Sequence, residues 1–404
     1  MKQKLYKKLI DELRSQSISK SRTSKFTIPI IKADKILFFS QKGYVILDKL
    51  IDLIVSDLKV KINRDNIDLE KLFFDKCFHL LFTDDYNDEE INKSIHNLLR
   101  TIEEKNKEHI VIIPISGLKV RRKFNVLDFD IISKNKLKND FPKDVYKSLD
   151  QSGHSFAITH DFGEPKLIMI SNREKLDSAL NLVRLYIPAF WHHIYEYKIS
   201  VVDKEYLTTT SAYVISKEEG EKVGRISVDQ RPGVFDIHSK RMSSSKYTQW
   251  HHIKKMNYNK LNNILKKDTK LSKTLFNSLH WIGMYTREKR NHIKFLFLIF
   301  ALEGIFTNES NNYSSITAAV SEKVAFLNAK QKDERKGIFD FVKKMYSKRG
   351  SIVHGSNIKI KSSELITLYD FLLESFCKLA DLIELYDLET TKELNNKLTD
   401  KKFE

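Results

Sequence analysis

Apolar positions recur along this chain in two rhythms. In the first part they return every three or four residues, the period of an amphipathic helix. MKQKLYKKLIDELRSQ (residues 1–16) reads this way; it has no apolar run suited to a signal peptide. A polar loop, SQSISKSRTSKFTIP (15–29), follows. GYVILDKLIDLIVSDL (43–58) then places Val45, Leu47, Leu50, Ile51 and Ile54 at helical spacing. DLEKLFFDKCFHLLF (68–82) is a second helix with Asp68 as its N-cap, and NDEEINKSIHNLLRTIEEK (87–105) a third, opened by acidic residues that suit a helix start. These segments predict a small helical subdomain up to about residue 107.

The rhythm then changes. HIVIIPI (109–115) and KFNVLDFDIIS (123–133) are rich in β-branched and aromatic residues, the composition of strands. SFAITHDF (155–162) and PKLIMIS (165–171) read as two more strands across a turn with Gly163 and Pro165. NREKLDSALNLVRLYIPAFW (172–191) is amphipathic, and YEYKISVVD (195–203) and TSAYVIS (210–216) return to strand character. The stretch 217–246, broken by Gly220, Gly224, Pro232 and Gly233, reads as a surface connection. Residues 108–245 are therefore expected to be mixed α/β.

From residue 257 the helical period returns and stays. The segments 261–288, 292–306, 316–329, 334–350 and 364–386 predict a helical bundle, and 391–404 a polar tail. The expected fold class is α+β: an N-terminal region (1–250), helical and then mixed, followed by an all-α bundle (255–390). No repeat or low-complexity tract interrupts it.

Composition narrows the picture. Proline and glycine are scarce, at 6 and 12 of 404 residues, which favours long helices. The most apolar run, FLFLIFALEGIF (295–306), is too short for a bilayer, which needs about 20 residues, and it carries Glu303; a buried helix accounts for it. The two cysteines, Cys77 and Cys377, make no disulfide framework, which fits a reducing cytoplasm. The net charge of +17 favours polyanionic partners. It is spread, roughly +9 over 251–404 and roughly +8 over the rest, so no single basic tail explains it. The chain holds no GxxxxGK[ST] or GxGxxG loop. Its adjacent histidines, His192 and His193 or His251 and His252, do not make a zinc pair, because neighbours on a helix point apart. Neither a metal nor a cofactor is expected.

One segment carries chemistry. In YSKRGSIVHG (346–355), Arg349 and His354 form an RxxxxH pattern around the aliphatic pair Ile352 and Val353, with Tyr346 before and Gly355 after. Upstream, ALEGIF (301–306) holds an Ala-Leu-Glu element, and the helix around SEKVAFL lies between the two. Together these resemble the HEPN superfamily of ribonucleases, in particular its ApeA-like branch. The resemblance covers about residues 270–390. Gly350 departs from the branch, where serine or another small residue is usual.

The resemblance implies a metal-independent endoribonuclease. RNA carries its own nucleophile, the 2′-hydroxyl. His354 would move protons near neutral pH, and Arg349 would fork hydrogen bonds to the phosphate. It also implies a homodimer with two motifs facing one cleft, RNA as partner (tRNA among the substrates), and a role in antiphage defence by abortive infection. Glu303 would orient Arg349 or His354, and Tyr346, Lys343, Lys344 and Lys348 would line the RNA path. Each residue also has a plainer reading: Arg349 and His354 at a helix end before a glycine cap, Glu303 as a salt-bridged core carboxylate, Tyr346 as packing, the lysines as a solvated face. The rival functions are an inactive HEPN module that binds nucleotides or RNA or scaffolds partners, and a toxin of a toxin–antitoxin pair. Gly355, Ser356 and Asn357 after the histidine, where that toxin branch places a tyrosine, argue against the last.

Overall fold

The structure is a computed structural model. It describes residues 2–18, 29–32, 35–58, 60, 62–82, 86–149, 154–187, 200–201, 213–216, 222–225, 235–236, 257–307, 316–356 and 358–400. The paired histidines at 192–193 and 251–252 lie outside the described residues. The fold class is α+β. The chain divides into two compact units: Met1–Val111 with His160–Ser171 and Val214–Gly224, and Ile112–Thr159 with Asn172–Tyr213 and Arg225–Glu404.

The first unit is built on four helices, α1 (Lys2–Ser15), α2 (Gln41–Val55), α3 (Leu69–Cys77) and α4 (Asp88–Lys105). Their apolar stripes meet in one core that includes Ile10, Leu47, Leu50, Phe73 and Leu98. The expected caps form. Asp68 accepts from the Lys71 amide at 3.0 Å, and Asn87 and Glu90 make a reciprocal capping box. Inside the stretch read as loop lies β1 (Ser17–Ile18), and β2 (Pro29–Lys32) begins at its last residue; both are antiparallel to β3 (Lys35–Phe39).

The second unit contains most of a small sheet. It draws on β4 (Glu108–Ser116), β6 (Phe124–Val126), β7 (Phe129–Ser133) and β8 (Ser155–Phe162) in the order β4-β8-β7-β6. In the chain, β4 and β6 are separated by a short β5 (Leu118–Lys119) that pairs in parallel with Phe235–Asp236 outside this sheet, and β9 (Ser200–Val201) pairs antiparallel with β4. KFNVLDFDIIS is thus a hairpin and not one strand. Its turn residue Leu127 takes φ +49°, and its amide is held by Asn262 Oδ1 at 2.7 Å. Two short helices follow β7, α5 (Lys134–Asp140) and α6 (Lys143–Leu149).

PKLIMIS is not a strand. It opens α7 (Pro165–Leu185). Proline is favoured at the first helical position, and the Ile168 amide bonds the Glu164 carbonyl at 2.9 Å. Gly163 makes the entry possible: its φ is +131°, and a Cβ there would sit 2.5 Å from the Asn66 carbonyl oxygen.

Among the described residues of the second unit, seven more helices follow: α8 (Tyr258–Leu265), α9 (Lys270–Arg287), α10 (Asn291–Phe306), α11 (Ile316–Asn328), α12 (Lys332–Val353), α13 (Ser362–Tyr386) and α14 (Thr391–Asp400). The 391–404 stretch, expected as a tail, is therefore largely helix, with Leu394 and Leu398 buried. The C-terminal part of α7 is locked into this bundle. Fully buried Arg184 bonds Asp177 at 2.7 Å, Arg287 bonds the same carboxylate, and Tyr369 Oη donates to the Arg184 and Leu185 carbonyls at 2.8 and 3.0 Å. These bonds make residues 172–187 part of the bundle, so the boundary between units does not fall near residue 250. No helix among the described residues is long and apolar enough to cross a membrane.

Candidate functional site

The RxxxxH segment closes α12. The helix runs unbroken through Gly350 to Val353, and His354 is its C-cap. Gly355 turns to φ +83°. Its amide bonds the Ile352 carbonyl at 3.0 Å, and the Ser356 amide bonds Ser351 at 2.9 Å. This is a Schellman closure, which asks for glycine because an L side chain is strained at that φ. The His-Gly pair therefore has a structural job in ending the helix.

Within α12 the residues divide by face. Val342, Met345 and Tyr346 are buried. Arg349 extends this stripe by one turn and reaches α10, where its Nη2 lies 3.7 Å from Glu303 Oε1. Both side chains are partly covered, at 36% and 21% exposure. Burial raises the Glu303 carboxyl above its ordinary range, while the Arg349 guanidinium and the Tyr346 hydroxyl pull it back. Burial and the neighbouring Glu303 likewise push the Tyr346 hydroxyl up. Two polar atoms in this cluster, Tyr346 Oη and Arg349 Nε, are buried without a well-formed hydrogen bond among the described residues. The Tyr346 hydroxyl and the Glu303 carboxyl act on each other directly, the hydroxyl lowering the carboxyl and the carboxyl raising the hydroxyl. Arg349, Glu303 and Tyr346 thus form one partly buried cluster with unspent donors.

His354 is not in it. It is exposed, and no hydrogen bond or ion pair joins it to Arg349 or Glu303 among the described residues. Five helical positions separate Arg349 from His354, roughly 7.5 Å along the axis and roughly 140° around it. Lys348 also points elsewhere: its Nζ meets both Glu364 oxygens at 2.7 Å, so its charge is already matched. Lys344 lies one turn before it and holds the Glu364 carboxyl down along with Lys348. Lys343 is exposed, with Nζ 6.0 Å from the Phe339 ring centre. Of the four residues expected to line an RNA path, Tyr346 alone touches the cluster.

One feature was not singled out from sequence. Helix α10 is apolar on all sides, the mark of a helix buried all round. Yet Phe297 and Phe300 stay part-exposed, with Trp281 of α9 stacked on Phe297 at 5.9 Å and edge-on to Phe300 at 5.1 Å. The signal was present in the uniform hydrophobicity of FLFLIFALEGIF, but nothing in the sequence says which flank is left open.

No group of three or more His, Cys, Asp or Glu is placed to hold a metal ion among the described residues. The chain matches no protein-family model, no curated protein and no solved structure.

Proposed function

We propose that the chain is a metal-independent endoribonuclease of the HEPN kind whose working cleft is shared by two copies. The observation that carries the reading is the state of Arg349. Its Nε is buried without a hydrogen-bond partner among the described residues, and its ion pair to Glu303 is loose at 3.7 Å. A buried unsatisfied donor costs about 1–3 kcal/mol, so a site that keeps one has a use for it. A phosphodiester supplies two oxygens in the fork that a guanidinium matches.

His354 supplies the proton chemistry. It takes the proton of the RNA 2′-hydroxyl, and the 2′-oxygen bonds to phosphorus. The bond from phosphorus to the 5′-oxygen breaks, and the same imidazole, now protonated, returns that proton to the leaving oxygen, while Arg349 comes from the other copy. The products are a 2′,3′-cyclic phosphate and a 5′-hydroxyl. Arg349 neutralises the five-coordinate phosphorane on the way. The separation of Arg349 from His354 within one chain supports a composite cleft, and the half-open aromatic flank of α10 supports a second copy packing there. RNA with exposed single-stranded loops, tRNA among them, is the substrate class, and the cytoplasm the place of action. The role in antiphage defence rests on the resemblance to the ApeA-like branch.

The test is cleavage of total tRNA by the purified chain in EDTA, with analysis of the product ends. Cyclic phosphate and 5′-hydroxyl ends are expected. A strict need for Mg²⁺ or Mn²⁺, or 3′-hydroxyl products, refutes the mechanism.

A further inference from the structure

At the other end of α12 from Arg349, about 21 Å away along the helix axis, a cavity of about 560 Å³ opens between the end of α11, the start of α12 and one face of α13. Sites for small organic ligands typically enclose about 300–1,000 Å³. Its lining combines a fixed guanidinium with aliphatic side chains. The Arg335 guanidinium lies over the Phe326 ring at 4.7 Å, and its Nε donates to the Ala329 carbonyl at 3.0 Å. These contacts hold the group still and leave its two Nη groups without an acceptor among the described residues. A pair of Nη groups in one plane is the fork that takes both oxygens of a carboxylate. Lys330 lines the same cavity, exposed and without an ion pair among the described residues. The other charges of the lining are matched. Lys378 is held on the Asn328 carbonyl at 2.7 Å and balanced by Glu374 at 2.6 Å. Asp381 has Asn257 Nδ2 at 2.9 Å from both oxygens and Lys260 at 2.9 Å.

The rest of the lining is aliphatic. Leu327 and Leu382 are buried beside Ala329, and Leu385 is 73% exposed at the mouth. Leu382 and Leu385 stand about one turn apart on α13, and from Lys378 to Leu385 that helix runs about 10.5 Å. Such a strip suits an extended hydrocarbon chain. A flat ring gains less, because one face of Phe326 is already covered by the guanidinium. A small anion would use the fork and leave the leucines in water. A neutral hydrocarbon would use the leucines and leave the fork empty. We propose that this cavity binds a free fatty acid of medium chain length. The carboxylate sits on the Nη groups of Arg335 with Lys330 beside it, and the chain lies along Leu327, Leu382 and Leu385.

The experiment is calorimetric titration of the full chain, below micellar concentrations, with acetate, hexanoate, octanoate, decanoate, octanol and benzoate. It reads binding and not cleavage, so it stands or falls apart from the ribonuclease reading. Decanoate is expected to bind in the micromolar range, and affinity to rise by up to about fourfold for each CH₂ added from hexanoate onward. Acetate, benzoate and octanol are each expected to bind at least about tenfold more weakly than octanoate. Arg335→Lys keeps the charge and loses the fork, and is expected to weaken decanoate by about tenfold. Leu385→Glu puts a negative charge at the mouth from a solvent-facing position. It is expected to weaken decanoate as much with an unchanged thermal melt, which keeps the test readable should Arg335→Lys loosen the end of α11. The assignment is overturned if decanoate does not bind, if affinity does not grow with chain length, if octanol or benzoate binds as well as octanoate, or if Leu385→Glu binds like the unaltered chain.

Discussion

Glu303 and Arg349 face each other between α10 and α12 at 3.7 Å, too far for a tight hydrogen-bonded pair and close enough for each charge to set the other's state. The carboxylate is half-buried, and burial outweighs the guanidinium, so its protonated form is favoured more than in an unfolded chain. Glu303 therefore lies against Arg349 without consuming its donors, the arrangement that the proposed phosphate-binding role of Arg349 requires.

Replacing Glu303 by glutamine removes that charge and keeps the shape. Because the folded carboxyl titrates above its unfolded value, its favourable contribution to stability is present below about pH 4.5 and is lost as pH rises through the folded value. Glu303→Gln has no such loss. The melting temperature of the variant relative to the unaltered chain should therefore rise from pH 4.5 to pH 7.5, while RNA cleavage falls. A variant equally stable at both pH values relative to the unaltered chain, and fully active, would show that the pair does neither job.

His354→Ala separates chemistry from architecture. The ring is exposed at the C-cap, and the backbone bonds of the Schellman closure come from Gly355 and Ser356. The melt should hardly move, while cleavage of total tRNA should fall by a factor of about 10²–10⁴, the usual worth of a general acid or base. A destabilised variant that still cuts at the full rate would reduce His354 to a helix end.

Much of the bundle was legible because its helices are long and their apolar residues recur at helical spacing; α9 and α11 fall within the segments so marked, and α10, α12 and α13 overrun theirs by at most three residues at an end. The RxxxxH position was legible too, but the company of its residues was not. Lys348 meets Glu364 from another helix, and no local pattern announces a partner 16 residues away. PKLIMIS misleads because a short apolar run fits either a strand or a buried helix, and Pro165 decides in favour of the helix. Arg184, an ordinary surface residue by type, is buried because Asp177 and the end of α7 supply its partners. The cavity at the start of α12 draws on residues from 326 to 385, which only packing brings together.

Gly350 offers a gain. It lies inside α12, and a methyl group there meets no atom within 4 Å. Glycine in a helix interior costs about 1 kcal/mol relative to alanine. Gly350→Ala should raise stability by about 0.5–1 kcal/mol in chemical denaturation and keep cleavage intact. A loss of stability would mean that α12 bends there in solution.

Lys323 is buried and donates to the Phe306 carbonyl at 2.7 Å, closing the C-terminal end of the helix that carries Glu303. Burial lowers its ammonium to about 8, with Glu322 opposing. A folded value below the unfolded one, about 10.4, means that the unfolded chain binds more protons between the two. This lysine's contribution to stability should therefore rise as pH climbs from about 8 towards 10. Lys323→Met, which cannot titrate, should lack that component. Denaturant unfolding of both proteins at pH 7.5 and 9.5 measures it, and parallel pH responses would show that the ammonium is not so perturbed.

The shared cleft is open to a mixing experiment. Arg349→Ala and His354→Ala should each be inactive alone. Suppose each cleft pairs the arginine of one copy with the histidine of the other. A mixed dimer then has one cleft with both residues lost and one with both intact, so combining the two inactive proteins restores part of the activity. If Arg349 and His354 of the same chain worked together, every cleft in the mixture would lack one of them and no activity would return. The recovery must appear only when subunits exchange, so the mixture is assayed before and after mild denaturation and refolding, with light scattering to record the oligomer. A dimer that shows no recovery after verified exchange would confine the chemistry to one chain. The roughly 140° between Arg349 and His354 would then have to close by a movement of the α12 terminus.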